Sequence, residues 1–98
     1  MTYQFEWDPN KARTNLLKHE VDFHQATNIF RDPNQITIYD EEHSTEEDRY
    51  VTVGFDGHSI ILVVHTFQKL NEELFLVRII SAREAKEHEI MQYKKGIL

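Results

Sequence analysis

Hydrophobic positions change period along this chain, and each change marks a different kind of element. Tyr3, Phe5 and Trp7 alternate with polar residues, the two-residue period of a short half-buried strand. From Asp8-Pro9 the spacing turns helical: aspartate suits a helix cap, proline suits the first helical position, and Ala12, Leu16 and His19 fall on one face. Val21-Asp22-Phe23-His24-Gln25 restarts the pattern, with Asp22 and Gln25 spaced as a capping box and Val21 placed to pack on Ala26. Phe23, Ala26, Thr27 and Phe30 form the inner stripe of this second helix, and Asp32-Pro33 ends it.

After Pro33 alternation returns. Ile36 and Ile38 mark a short strand, Arg49, Val51, Val53 and Phe55 line one face of another, and Asp56-Gly57 is a hairpin signal. Ser59 to Thr66 is a nearly continuous apolar strand, and Leu74 to Ala82 is a second one after the polar loop Gln68 to Glu73. Continuous apolar strands are characteristically central, covered on both faces. Ala85, Glu89 and Tyr93 then recur four residues apart on a closing helix that starts at Glu84, with Lys94 and Lys95 suiting its negative C-terminal end. The order β-α-α-β-β-β-β-α predicts an α+β fold: an antiparallel sheet packed against two N-terminal helices and one C-terminal helix. No internal repeat, low-complexity tract or linker interrupts the chain. Its 98 residues, 40% of them hydrophobic, predict a single domain over 1–98 with one core.

Composition narrows the function classes. There is no cysteine, which excludes disulfides, thiolate metal sites and a cysteine nucleophile and fits the cytoplasm. The N-terminal stretch lacks a basic region followed by an apolar run, and Ile60 to Val64, the longest strongly apolar stretch, is too short to span a membrane. A cytoplasmic protein without membrane association is expected. A net charge of -6 argues at first against a nucleic-acid partner. However, six of the 17 acids lie between Asp40 and Asp48, leaving 11 acids against 11 lysines and arginines elsewhere. The acidic run reads as a solvated loop, and a local basic patch is compatible with the rest.

Candidate chemistry gathers in Val63-Val64-His65-Thr66 and in Arg78 to Ala85, two strand-like stretches carrying cationic and polar residues that a core has no use for. A phosphate-bearing ligand is the simplest guest. Cleaving RNA without metal requires a group to take the 2′-hydroxyl proton, one to protonate the leaving oxygen, and cations to stabilise charge on phosphorus. His65 is the first choice for proton transfer, at a strand end expected to be open to solvent and substrate. Arg78 and Arg83 are the phosphate clamps, because guanidinium presents a planar fork of donors.

Five residues apart on a regular strand, these two would face opposite sides. Either Arg83 has left the strand ahead of the helix at Glu84, or only one of them belongs to the site. Arg83, at a strand-to-helix junction with free amides, is preferred. Lys18, His19, Thr66, Lys69 and Tyr93 are second-tier substrate contacts. Each choice has a plainer alternative: His65 as a hydrogen-bonded structural residue, Arg78 paired with Glu47 or Glu73, Arg83 with an acid such as Glu87, and Trp7 and Tyr93 as packing residues. The six histidines show no ligand spacing on one element, so neither a metal nor an organic cofactor is expected.

Phe5-Glu6-Trp7-Asp8-Pro9 with Lys11-Ala12, Asn15-Leu16 and Lys18-His19, then Val21 and Phe23, Phe30-Arg31-Asp32-Pro33, His43-Ser44 with Glu47 and Arg49, Val64-His65-Thr66 and the Arg78 to Ala85 run resemble the BrnT toxins of bacterial type II toxin–antitoxin pairs. The resemblance covers nearly the whole chain. It implies a RelE-like ribonuclease fold, RNA cleavage that arrests translation, and neutralisation by a BrnA-like ribbon-helix-helix antitoxin in a toxin–antitoxin heterotetramer that meets operator DNA only through the antitoxin. Two positions depart from the pattern: Glu20 stands where many relatives have glycine, and Gln68, followed by Lys69, where relatives often carry arginine. The alternative is a catalytically inactive antitoxin-binding module taking part in operon autoregulation.

Overall fold

The computed structural model describes residues 1–96; Ile97 and Leu98, the end of the expected domain, lie outside the described residues. In chain order the elements are β1 (Thr2–Glu6), α1 (Pro9–His19), α2 (Phe23–Ala26), a 3₁₀ turn (Thr27–Arg31), β2 (Ile36–Tyr39), β3 (Tyr50–Phe55), β4 (Ile60–His65), β5 (Gln68–Lys69), β6 (Leu74–Glu84) and α3 (Glu87–Lys95). The fold is α+β, with a six-stranded sheet in the order β1-β6-β4-β3-β2 and β5 added to β6.

The sheet is mixed rather than antiparallel. β2, β3, β4 and β6 pair antiparallel, but β1 runs parallel to β6, from Thr2 opposite Leu74 to Glu6 opposite Arg78. Hairpins force alternation only between strands that follow each other in sequence. β1 reaches its neighbour after nearly the whole chain has intervened, so no turn dictates its direction.

The helix starts were legible. Asp8 caps α1 by accepting from the Asn10 amide at 2.8 Å, with Pro9 in the first turn, and Asp22 caps α2 through the His24 amide at 2.7 Å. Gln25 does not close the expected capping box; its amide instead donates to Asp56 at 2.6 Å, tying α2 to the β3–β4 hairpin. The expected second helix is α-helical only to Ala26 and tightens into the 3₁₀ turn. α1 ends with Glu20 in the left-handed region, φ 59, its amide bonded to the Leu16 carbonyl at 2.9 Å. The chain therefore adopts the glycine-like termination without glycine, which costs a side-chain-bearing residue about 1 kcal/mol.

One face of the sheet carries the core. Val21, Phe23, Ala26, Ile29 and Phe30 pack on Ile61, Val63, Val77, Ile79 and Ala82, and Tyr3, Phe5, Trp7, Ala12 and Phe67 pack around them. Gly54 lets the 3₁₀ turn approach β3: a Cβ there would sit 2.9 Å from the Ile29 Cβ. Leu16, expected on the inner face of α1, is half exposed, and the buried position is Asn15. Asn15 works as a substitute strand. β1 stops at Glu6, leaving the outer edge of β6 unpaired beyond Arg78, and the Asn15 amide fills it by donating to the Ala82 carbonyl at 2.8 Å and accepting from the Ala82 amide at 3.1 Å. It also donates to the Val21 carbonyl at 3.1 Å, so one buried side chain fixes α1 against both the sheet and the next segment.

Candidate active site

The opposite face of the sheet is where the charged residues collect. Strand alternation places Ile38, Val51, Val53, Leu62 and Val64 on it, and α3 lies over part of it without burying any of its own residues. A cavity of about 450 Å³ opens there, bounded by these side chains and by His19, Ser81, Arg83, His88, Glu89 and Gln92. A second, of about 310 Å³, runs along α1 between Lys11, Thr14, Lys18 and His19 and the β6 residues Ile80 and Ser81. A third, of about 210 Å³, lies between Lys11, Glu47, Arg49, Arg78 and Ile80. The first two share His19 and Ser81, and the last two share Lys11 and Ile80, so the three form a continuous groove along β6 beside α1.

Arg78 and Arg83 both face this groove, and the reason is a β-bulge. Val64 pairs with Ser81 but His65 pairs with Ile79, so Ile80 is an extra residue in β6. One inserted residue restores a common face for side chains that strict alternation would separate. The first of the two alternatives, that Arg83 has left the strand, does not hold: β6 continues to Glu84 and α3 begins only at Glu87.

Each guanidinium is held by a carboxylate. Arg78 donates to both oxygens of Glu47 at 2.5 Å. Arg83 forms a two-pronged pair with Glu89, at 2.8 and 3.0 Å. Glu89 also accepts from the Lys86 amide at 2.7 Å, so it caps α3 and ties it to β6. The Arg83 hydrogen bond, helped by the Lys86 amide and the charges of Arg83 and His88 and opposed by burial, holds the Glu89 carboxyl below its ordinary value.

His65 does not lie where substrate can reach it. It is 1% exposed, on the core face, with Phe30 edge-on at 5.1 Å and Tyr50 stacked at 6.2 Å between ring centroids. Its Nε2 bonds the Thr52 hydroxyl at 2.7 Å and its Nδ1 the Thr66 carbonyl at 2.8 Å, and Thr52 in turn bonds Thr37. Burial pushes its pKa down to about 4, against a smaller opposite pull from the Thr66 carbonyl. A neutral, fully bonded imidazole bridging β4, β3 and the turn after β4 results.

The other expected residues divide cleanly. Lys18 and His19 line the groove with Arg78 and Arg83. Thr66 is away from it, donating its amide to the Arg78 carbonyl at 3.0 Å. Lys69 sits exposed on β5, 3.8 Å from Glu72. Tyr93 donates its hydroxyl to Asp32, which also accepts the Phe55 amide at 2.8 Å. Burial and the Asp32 carboxylate together raise the Tyr93 phenol to about 12.

Sequence reasoning passed over Lys11, Arg49, Ser81, His88 and Glu89 as site residues. A signal for the first was present: Lys11, Thr14 and Lys18 recur at three- and four-residue spacing and so share a face of α1. Among the described residues no group of three or more histidine, aspartate or glutamate side chains is arranged to hold a metal ion, and no helix is long and apolar enough to cross a membrane.

Comparison with known families gives one match. The family described as the ribonuclease toxin BrnT of type II toxin–antitoxin systems aligns over residues 7–89, from Trp7 to Glu89. No curated protein matches the chain. The groove-lining residues, Gln92 of α3 apart, fall inside the aligned region, and the chain belongs to the BrnT family of ribonuclease toxins of type II toxin–antitoxin systems.

Proposed function

We propose that this chain cleaves RNA in the groove between α1 and β6, without a metal ion, with His19 as the proton-transfer group and Arg83 and Arg78 as phosphate contacts. The observation that carries the reading is the position of His19, where the first two cavities of the groove join, facing Ser81 and flanked along the groove by Lys18 and Arg83. Imidazole is the side chain suited to accept and return a proton near neutral pH. Arg78 and Arg83 stand five positions apart on the strand, placing their Cα atoms about 15 Å apart, so the two grip different phosphates of one RNA chain. Binding then exchanges each arginine's carboxylate partner for phosphate, which offers the same bidentate geometry with more charge.

In this reading His65 belongs to the fold rather than the chemistry, and Thr66, Lys69 and Tyr93 do not touch substrate. RNA cleavage would arrest translation in the cytoplasm, on a RelE-like scaffold, until a BrnA-like ribbon-helix-helix antitoxin covers the toxin in a heterotetramer that meets operator DNA through the antitoxin. The rival reading, an inactive antitoxin-binding module, draws on the engagement of both arginines by Glu47 and Glu89.

Cleavage of an RNA oligomer by the purified chain, in chelator and in added magnesium, separates these. The expected result is equal cleavage in both, reduced about 100-fold or more by His19→Ala and by Arg83→Ala with the fold retained. Cleavage abolished by chelator would overturn metal independence, undiminished cleavage by His19→Ala would overturn the assignment, and no cleavage by the wild type would leave the binding module.

A further inference from the structure

The smallest of the three cavities surrounds Arg78 with two further cations that the proposed cleavage does not use. Lys11 from α1, Arg49 from the loop just before β3 and Arg78 from β6 converge on it, three cations from segments distant in sequence. Two acids share the space. Asp8 is committed to the cap of α1 through the Asn10 amide. Glu47, from the acidic loop, bridges the arginines, with Arg78 at 2.5 Å and Arg49 Nη2 at 3.9 Å. The Arg49 Nε–H is the one buried side-chain polar atom without a hydrogen-bond partner among the described residues. A buried donor of a charged group left without an acceptor costs more than an ordinary lost hydrogen bond. The side chains of Arg49 and Glu47 remain about a third exposed, so the cavity opens to the groove.

From this arrangement we propose that the Lys11–Arg49–Arg78 cavity is a second phosphate subsite, which takes a backbone phosphate of the RNA chain beside the one held near His19 and Arg83, and that Glu47 is its built-in competitor. The inference rests on the RNA reading of the groove. A carboxylate reaches Arg78 from one side and leaves the Arg49 Nε–H unused. A phosphate, with more acceptor oxygens, accepts from Arg49 Nε, from Arg78 and from Lys11 together. RNA entering the subsite displaces Glu47 and swings the acidic loop outward, so that loop discriminates against weak anions. It also accounts for an acid run beside a nucleic-acid site: repulsion is confined to a segment that moves when the correct ligand arrives.

The test follows the arginine Nε–H resonances of the ¹⁵N-labelled chain by NMR, titrated first with inorganic phosphate and then with a 2′-deoxy oligonucleotide, which cannot be cleaved. The Arg49 Nε–H signal is expected to move with both ligands. Glu47→Gln should tighten phosphate binding about 3-fold or more, and Arg49→Lys, which keeps the charge and loses the Nε donor, should weaken it about 10-fold. Amide spectra report whether each variant retains the fold.

An Arg49 signal that stays still while other resonances move, or Glu47→Gln binding no tighter than wild type, overturns the proposal. Movement with inorganic phosphate alone overturns the assignment to an RNA chain in favour of a free phosphate group. Cleavage of RNA with no response at Arg49 removes the subsite and leaves the ribonuclease reading intact; a response at Arg49 in a chain that does not cleave RNA removes the cleavage reading and leaves the subsite.

Discussion

At the scale of single residues, His65 and His19 exchange surroundings between sequence and structure: His65 is buried in the core and His19 lines the groove. His65 follows an apolar run, so the sequence suggests a strand end meeting solvent; what decides its fate is Thr52 on the neighbouring strand and Phe30 from the 3₁₀ turn, partners supplied only by the fold. Burial has a measurable consequence. The unfolded chain protonates this imidazole near 6.5, whereas the folded protein resists until about 4. The unfolded state therefore binds more protons between those values, so this contribution to stability is complete above about pH 6.5 and is lost as pH falls toward 4. It amounts to on the order of 3 kcal/mol. Urea unfolding across this range should show a steeper loss of stability in wild type than in His65→Leu, and parallel curves would mean that His65 is accessible to protons in the folded state.

At the scale of elements, most of the architecture was legible because it rests on local chemistry. Asp8-Pro9 and Asp22 start helices where the capping rule puts them, and the strand positions around Asp56-Gly57 follow from alternation. Three features were not legible. The direction of β1 depends on a partner nearly a whole chain away, the bulge at Ile80 is a register event between β4 and β6, and the strand runs on past Ala82 where helical spacing suggested a helix start.

The bulge matters most for the site, since without it Arg83 would point into the core. Asn15 holds the same stretch of β6 in place, and its three hydrogen bonds to buried backbone make it more consequential than its neighbour Leu16. Asn15→Ala leaves the Ala82 amide and two carbonyls unpaired and should cost about 2–4 kcal/mol in chemical denaturation. Leu16→Ala, on a half-exposed side chain, should cost under about 1 kcal/mol. Equal losses would mean that Asn15 is not the anchor of α1.

At the scale of the whole molecule, the family was recognisable from the order of short motifs, each weak alone, because those motifs are what builds the groove: Lys11 and Lys18-His19 on α1, Glu47 and Arg49 before β3, and Arg78 to Arg83 on β6. The net charge averages an acidic loop with a groove lined by Lys11, Lys18, Arg49, Arg78 and Arg83. The organisation is a sheet with two faces: one buries the core and with it His65, and the other carries the groove and its cations, which the proposed function gives to RNA.

Mapping a 2′-deoxy RNA analogue onto the ¹⁵N-labelled chain by amide chemical shifts tests that organisation most directly. The account predicts perturbations following the groove, at Lys11, Lys18, His19, Ser81 and Arg83, with His65 and the core face silent. Perturbations centred on the edge of β1 or around Lys69, with the groove unaffected, would contradict it.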